Sequence, residues 1–301
     1  MNTKNTQKQE IIANFTPVSD QYRIVQLANG AYSLRSEAYG ETFHPVVGPV
    51  AEAQALYVDQ LNLVQRLRET AGDFVVWDVG LGAAANPITF LNAVKEIPCS
   101  VRIVSFDYTL EPLTVALAHA STLSYLTSWA QPLASLIQEH KVHWTTPGGL
   151  SVQWELHLAD FPAFLKASAV SQLPKPHAIF YDAFSPATNP SMWTLPVFTD
   201  LFRLFDPRRP CTMPTYSRST MLRATLLLAG FFVGKGHATG EKEETTIASN
   251  TLASITEPLD RNWLMRCKRS RSAEPLHSPE YRQSPITDVS WERLLQHPQF
   301  T

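Results

Sequence analysis

Three cysteines in 301 residues, Cys99, Cys211 and Cys267, are too few and too far apart for a disulfide framework or a paired set of zinc ligands. Their odd number and wide spacing point to a reducing compartment, and a cytoplasmic location is expected. No run of 18 apolar residues occurs, so no membrane-spanning helix and no membrane partner are expected, and the polar residues Met1–Gln9 lack the apolar core of a secretory signal. An excess of either charge is missing too. The 25 Lys and Arg against 27 Asp and Glu leave a net charge of −2, so any nucleic-acid contact must be local rather than a property of the whole surface. Glycine is scarce at 12 residues whereas proline reaches 22, which implies loops stiffened by a fixed φ. There are no internal repeats. What is present is an ordinary apolar fraction, 44%, in a chain long enough for one large domain or two small ones with a sizeable core.

Residues 1–14 are polar and are expected to form a disordered tail. Residues 15–70 read as an extension. Short alternating segments flank Asn29-Gly30, the strongest local hairpin signal. An irregular polar and aromatic loop follows over Ser36–Pro45. A helix is then expected from about Val50 to Thr70, with Ala51, Ala55, Val58, Leu61, Val64 and Leu67 at helical spacing.

From residue 71 to 250 strands alternate with helices. Phe74–Val79 is a continuous apolar strand, followed by a glycine turn and a helix from about Asn86 to Glu96. Strands Val101–Phe106 and Ser151–Leu158 are separated by helical material over about 111–140. A fourth strand ends at Asp182, and a helix over about 196–205 precedes strand Cys211–Tyr216. Ser219 is placed to cap a helix from Thr220 to Ala229, with Gly230 as its stop, before two closing strands at 231–234 and 244–249. This alternation implies α/β architecture with a mostly parallel, doubly wound sheet, an antiparallel edge strand and an N-terminal β-hairpin extension. Residues 251–301 form a C-terminal extension, Pro- and Ser-rich, with the basic cluster Arg266-Cys-Lys-Arg-Ser-Arg271. A short docked helix is expected within Trp291–Leu295.

Ligands of open α/β sheets bind beyond the carboxyl ends of the strands. Gly80 and Gly82 follow the first strand and let backbone approach a cofactor. Asp107 ends the second strand, 25 residues after Gly82, where a carboxylate can accept bonds from ribose hydroxyls. These features alone fit NAD as well as S-adenosylmethionine, although no candidate proton relay for a dehydrogenase accompanies them. Asp160, beyond the third strand, suits an adenine amino group, or more plainly the N-cap of the helix that begins at Phe161-Pro162. The most informative stretch is Phe180-Tyr-Asp-Ala-Phe-Ser-Pro-Ala-Thr-Asn-Pro-Ser-Met-Trp-Thr194. An apolar strand ends there in a carboxylate, Asp182, then a ring, Phe184, on a proline-stiffened loop. Such a pair can hold the hydrogens of an amine and stack a flat base; the plainer reading is a capped strand end with a buried Phe. Trp193 reads as a packing anchor for that loop, and Trp129, Trp144 and Trp154 as packing residues.

Asp182-Ala-Phe-Ser-Pro-Ala-Thr-Asn-Pro-Ser-Met-Trp193 resembles the Asp-Gly-Phe-Ala-Pro-x-x-Asn-Pro-x-Met-Trp signature of the MnmC methyltransferase-domain family, whose stand-alone form is MnmD. Ser36–His44, Gly48–Ala53, Gly80-Leu-Gly-Ala-Ala-Ala-Asn86, Thr215-Tyr-Ser217, Gly230-Phe231, Lys242–Ala248 and Arg269–Ala273 are similar to further segments of that family in the same order, so the resemblance covers roughly residues 16–276. It implies a Rossmann-like, class I S-adenosylmethionine-dependent methyltransferase domain over 71–250. The implied reaction is methylation of the 5-aminomethyl group of wobble uridine 34 in tRNA, giving 5-methylaminomethyl-(2-thio)uridine, with the anticodon stem-loop as partner. By the same resemblance Asp182 and Phe184 are the catalytic residues. Asp78, Gly80, Gly82, Ala84, Asn86, Asp107, Asp160 and Glu52 would bind S-adenosylmethionine, and Tyr39, His44, Pro186, Lys242 and Arg269 the substrate. No metal is expected. The FAD-dependent oxidase domain of fused family members has no room in this chain, so no FAD is expected and the amine is expected to come from another enzyme.

The chain departs from the family pattern at several points. Ala84 replaces a loop glycine, an exchange that fits if its φ is negative, and Pro87 follows Asn86. Asp107-Tyr108 stands where Glu is commoner, and Ala183 replaces a motif glycine. Pro207-Arg-Arg-Pro210 replaces a Pro-Gly-Gly turn and requires another turn type, and Glu243 stands where a basic residue is preferred. Two other functions remain open on the sequence: methyl transfer to a different amine, and a diverged, non-catalytic binding module.

Overall fold

The computed structural model describes residues 21–240 and 243–301; the expected tail over 1–14 and Lys242 lie outside them. Two compact units divide the chain, one ending at Ala159 and the other beginning at Asp160.

In the first unit, β1 (Tyr22–Gln26) and β2 (Tyr32–Ser36) pair antiparallel, from Tyr22↔Ser36 to Gln26↔Tyr32. Gly30 takes a φ of 86° in the connecting turn, and Asn29 accepts from the Ala31 N–H at 3.1 Å, as the Asn-Gly signal predicts. The loop expected to be irregular contains a short strand, β3 (Glu41–Thr42), on the free side of β2.

The single helix expected over 50–70 is broken. It consists of α1 (Pro49–Ala53), a π-helical segment (Gln54–Asp59) and α2 (Leu63–Glu69). The wider π turn brings Leu56, Tyr57 and Val58 into the core together, and Asn62, left-handed at φ 48°, resets the phase so that Leu63 and Leu67 are buried. A uniform 3.6-residue period cannot express either event.

The strands β4 (Asp73–Val79), β5 (Ser100–Asp107) and β7 (Ser151–Leu158) are parallel, and β6 (Lys141–Thr145) runs antiparallel beside β7, in the order β4-β5-β7-β6. The apolar run of β4 is buried from Phe74 to Val79, as befits a strand covered on both faces. Sequence reading did not foresee β6, whose only inward signals are Val142 and Trp144 in a half-exposed edge. Trp144 lies between Trp129 and Trp154, with ring centroids 6.0 and 6.5 Å apart, so the three tryptophans are packing residues as expected. The helices are α3 (Ala85–Val94), α4 (Glu111–Ala118), α5 (Ala120–Leu123) and α6 (Ala130–Glu139). The helical stretch expected over 111–140 is therefore interrupted, at Ser124 with φ 52°.

The second unit opens with α7 (Phe161–Phe164) and β8 (Ala178–Tyr181), then α8 (Leu195–Arg203), β9 (Thr212–Thr215), α9 (Thr220–Ala229), β10 (Phe232–Gly236) and β11 (Thr245–Ser249). β8 and β9 are parallel, and β11 lies between β9 and β10, antiparallel to both. Ser219 caps α9 by accepting from the Leu222 N–H at 3.1 Å, and Gly230 ends it at φ 109°, both as expected.

The C-terminal extension is ordered into α10 (Arg261–Arg269) and α11 (Asp288–Leu295), so most of the basic cluster lies on a helix. Glu274 ties the segment together, accepting from the Thr287 N–H at 2.8 Å, the Ser290 hydroxyl at 2.8 Å and His277 Nε2 at 2.9 Å. Leu276 pairs with Thr194, and the Leu195 N–H donates to the Leu276 carbonyl at 2.8 Å, which joins the extension to the chain just beyond the proline-rich motif. Near the C-terminus the Gln299 side chain accepts from the Val233 N–H at 2.8 Å and donates to the Val233 carbonyl at 2.7 Å.

Candidate active site

The first unit carries the glycine turn. Gly80, Gly82 and Ala84 have φ of 91°, 51° and 58°, and the turn closes with the Ala84 N–H donating to the Leu81 carbonyl at 2.8 Å. The Asp107 carboxylate is bound to this turn, accepting from the Gly82 N–H at 2.9 Å through Oδ2. Its Oδ1 accepts from Tyr108 N–H at 2.8 Å and Thr109 N–H at 3.3 Å. A carboxylate has about four acceptor positions, so about one remains for a hydroxyl. Burial pushes the Asp107 carboxyl above its ordinary range, opposed by the three backbone N–H groups.

The hairpin extension supplies the surroundings. A methyl group added at Gly82 would lie 2.9 Å from Cε2 of Phe43, so glycine is needed there for the Phe43 ring as much as for any ligand. The Tyr108 hydroxyl donates to the Tyr39 hydroxyl at 3.1 Å, and the Tyr22 phenol bonds Tyr108 as well. Burial and the two neighbouring phenols push the Tyr108 hydroxyl far above its ordinary pKa. His44 Nδ1 and Glu52 Oε1 are 3.6 Å apart with side chains 8% and 11% exposed, so these two expected site residues, one assigned to substrate and one to cofactor, form one pair.

Asp78 has no exposed surface. Its Oδ2 accepts from the Ser105 hydroxyl at 2.8 Å, and Ser105 in turn accepts from the Trp154 indole N–H at 2.9 Å. These bonds cross β4, β5 and β7, so one oxygen of Asp78 is engaged within the sheet, one residue before the end of β4. Asn86 is buried in the first turn of α3.

The second unit carries the acid and ring. Asp182 directly follows β8 and is half-buried, as are Phe184 and Pro186. The intervening backbone is pinned at two successive carbonyls. The Tyr216 hydroxyl donates to Ala183 at 2.9 Å, and Trp193 Nε1 donates to Phe184 at 2.7 Å. Trp193 is fully buried, against Tyr181 with centroids 5.3 Å apart, so it is the expected anchor. The Tyr181 hydroxyl donates to the Met192 carbonyl, and the Ser185 carbonyl accepts from Asn189 N–H at 2.8 Å. A carboxylate held on so rigid a backbone can bind and deprotonate an amine.

Asp160 is exposed and caps α7, accepting from the Ala163 N–H at 3.2 Å, which is the plainer of its two sequence readings. Arg269 is exposed on α10. Sequence reading did not single out Phe43, Tyr22 or Arg223. Only Arg223 left a signal, a lone cation in the apolar run Met221–Ala229.

The family of S-adenosyl-L-methionine-dependent methyltransferases designated Methyltransf_30 matches residues 124–251. The chain is 30% identical over 240 residues to the tRNA 5-methylaminomethyl-2-thiouridine biosynthesis bifunctional protein MnmC of Methylibium petroleiphilum, covering 78% of this chain and 36% of that protein. The chain belongs to the MnmC methyltransferase-domain family. The protein of the same name from Burkholderia mallei is 26% identical over 208 residues, 65% of this chain and 31% of its own length. The chain thus spans about a third of the length of these MnmC relatives. The crystal structure of MnmC2 from Aquifex aeolicus matches in fold with a TM-score of 0.64 at 23% identity, over 98% of this chain and 92% of that one. The fold is accordingly the Rossmann-like methyltransferase fold, mostly parallel as expected.

Three departures from the MnmC pattern acquire a physical meaning. Ala84 does not have the negative φ that would make alanine a comfortable replacement; at 58° it is left-handed and strained. Ala183 is not among the described residues with positive φ, so alanine fits there. In the turn before β9, the Asp206 side chain accepts from Arg208 N–H at 3.0 Å, and Asn250 Nδ2 donates to the Asp206 and Arg209 carbonyls, a side-chain-braced turn in place of glycines. Among the described residues no helix is long and apolar enough to cross a membrane.

Proposed function

We propose that the protein is an S-adenosylmethionine-dependent N-methyltransferase acting on the 5-aminomethyl group of wobble uridine 34 in tRNA, giving 5-methylaminomethyl-(2-thio)uridine, with the anticodon stem-loop as the recognised part. The observation that carries this is the half-buried Asp182 carboxylate at the end of β8, followed by Phe184 on a backbone pinned at two successive carbonyls. The relatedness to MnmC supports the same assignment.

The remaining acceptor position of Asp107, beside the left-handed turn of Gly80–Ala84, fits a ribose hydroxyl, so the first unit has the chemistry to hold the cofactor. S-adenosylmethionine, when bound, supplies a methyl group on a sulfonium. Asp182 accepts an N–H bond from the neutral amine, which fixes the nitrogen and leaves its lone pair directed away from the carboxylate. As nitrogen acquires a fourth bond it becomes cationic, and Asp182 takes the surplus proton directly or through water. Phe184 offers its ring to the base that carries the amine. Positioning accounts for most of the rate, because the nucleophile needs no activation beyond neutrality. Tyr39 and the His44–Glu52 pair are assigned to the substrate and cofactor surroundings.

The test is transfer of labelled methyl from S-adenosylmethionine to bulk tRNA from a strain lacking this methylation, followed by digestion to nucleosides. Label in 5-methylaminomethyl-uridine is expected. Cofactor binding without label would redirect the reading to another amine, and neither label nor binding would leave a non-catalytic module. Asp182→Ala should lower transfer about 10²–10⁴-fold with cofactor affinity retained; full activity would remove Asp182 from the reaction.

A further inference from the structure

Among the described residues, left-handed backbone occurs at five positions other than glycine: His44, Asn62, Ala84, Ser124 and His140. Four of these carry a polar side chain that can bond locally; Ala84, at φ 58°, has only a methyl group. It is buried, and it stands where the glycine turn passes into α3. Its conformation must therefore be held by its neighbours.

The φ of Ala84 follows the plane of the Ala83–Ala84 peptide, and that plane is bonded at both ends. Its N–H donates to the Leu81 carbonyl at 2.8 Å, and its carbonyl accepts from the Tyr125 hydroxyl at 3.1 Å. α3 cannot supply that second donor, because Pro87, four residues beyond Ala83, has no N–H. The line of bonds continues to Asp107. The Leu81 carbonyl belongs to the same peptide as the Gly82 N–H, which donates to Asp107 Oδ2 at 2.9 Å. Tyr125, two peptide planes and the carboxylate are thus joined in series, and each bond polarises the next. The segment that carries Tyr125 is tied to α3 as well. Ser124, left-handed at φ 52°, ends α5 just ahead of it, and the Trp129 indole N–H donates to Asn92 Oδ1 on α3 at 3.0 Å. Burial pushes the Tyr125 hydroxyl far above its ordinary pKa, so it stays protonated and a donor well beyond neutral pH.

We infer that Tyr125 is a positioning residue: its hydroxyl keeps the Ala83–Ala84 peptide in the strained orientation, and so fixes the glycine turn and the Asp107 carboxylate for the cofactor. This rests on the reading of the first unit as the part that holds S-adenosylmethionine. Turning the plane over would take Ala84 out of the left-handed region, to a φ of about −120°, and would break both of its bonds. The strain of a left-handed alanine favours that change about 5- to 30-fold. One hydrogen bond opposes it about 2- to 13-fold. Two bonds together match the strain, and one alone falls short.

The experiment is a calorimetric titration of the full chain with S-adenosylmethionine, together with amide hydrogen exchange over residues 81–86. Tyr125→Phe keeps the ring and loses the donor. It should weaken binding about 3- to 20-fold, because apparent affinity falls with the fraction of turns in the competent orientation. It should also speed exchange at the Ala84 amide by at least about fivefold. Glycine at position 84 carries no left-handed strain, so the double variant Tyr125→Phe/Ala84→Gly should bind within about threefold of Ala84→Gly alone. A hydroxyl that served stability alone would lower Tm, yet leave the affinity of the folded protein unchanged. Binding by Tyr125→Phe within about twofold of wild type would overturn the role and leave the cofactor reading standing. An equal loss on the alanine and glycine backgrounds, or unchanged exchange at Ala84, would overturn it as well. A wild type that binds no S-adenosylmethionine would overturn both.

Discussion

Trp193→Phe isolates one hydrogen bond that shapes the acceptor loop. The Trp193 ring is fully buried in a cluster with Tyr181, Phe198 and Tyr216, at centroid distances of 5.3, 6.2 and 5.9 Å. A phenyl ring keeps most of those contacts but cannot donate to the Phe184 carbonyl, which now receives Nε1–H at 2.7 Å. A buried acceptor left without its donor costs about 1–3 kcal/mol. The space vacated by the indole adds about 1 kcal/mol, at about 24 cal/mol per Å³ of cavity. A loss of about 2–4 kcal/mol is therefore expected, read as a lower urea midpoint at unchanged m. Because the lost bond sets the backbone that carries Phe184, KM for the methyl acceptor should rise while cofactor affinity stays fixed. Tyr216→Phe removes the neighbouring pin, the 2.9 Å bond to the Ala183 carbonyl, so the double variant should deviate from additivity by at least about 0.5 kcal/mol. Destabilisation under about 1 kcal/mol together with an unchanged KM would refute the claim that this bond holds the loop.

The glycine turn offers two opposite tests. Gly82→Ala meets a left-handed φ of 51° and Phe43 Cε2 at 2.9 Å, so it should cost about 1–2 kcal/mol from conformation alone, more from the ring, and regain part when combined with Phe43→Leu. Ala84→Gly relieves a left-handed alanine, worth about 1–2 kcal/mol, against about 0.5–1 kcal/mol of added backbone entropy; thermal unfolding should show a small gain. Burial tends to raise the Glu274 pKa, but bonds from Thr287, His277 and Ser290 outweigh it and hold the carboxyl below its ordinary 4.5. Its contribution is thus complete above that value and lost as pH falls through the lowered folded value. Glu274→Gln should accordingly flatten the acid limb of Tm against pH, and an unchanged limb would deny Glu274 this role.

Features set by a few adjacent residues were legible in the sequence. Asn29-Gly30 announced its hairpin, Ser219 and Gly230 bounded α9, and the buried run of β4 read as a strand because no polar face interrupts it. Tertiary choices were not legible. The π segment at Gln54–Asp59 and the left-handed Asn62 shift which side chains face inward without changing the composition. Lys141–Thr145 is a strand only because β7 is there to pair with it. The motif around Asp182 was visible as chemistry, whereas the pins from Trp193 and Tyr216 come from residues 9 and 33 positions away from the carbonyls they hold. Asp78 looked like a ligand residue, and only the structure shows that it faces Ser105 inside the sheet.

The amide of Gln299 meets Val233 as a neighbouring strand would, giving one bond and taking one, and Leu259 N–H adds a bond to the Val233 carbonyl at 2.9 Å. Together with the Gly234↔Pro258 bridge, this leaves β10 no open row of donors and acceptors at its middle. Gln299 thus completes a cover that residues 257–259 largely provide. Shortening the chain before Gln299 would free, on β10, the Val233 N–H alone, because Leu259 and Glu257 keep the Val233 carbonyl and the Lys235 N–H engaged, so this edge is expected to stay closed to a second molecule.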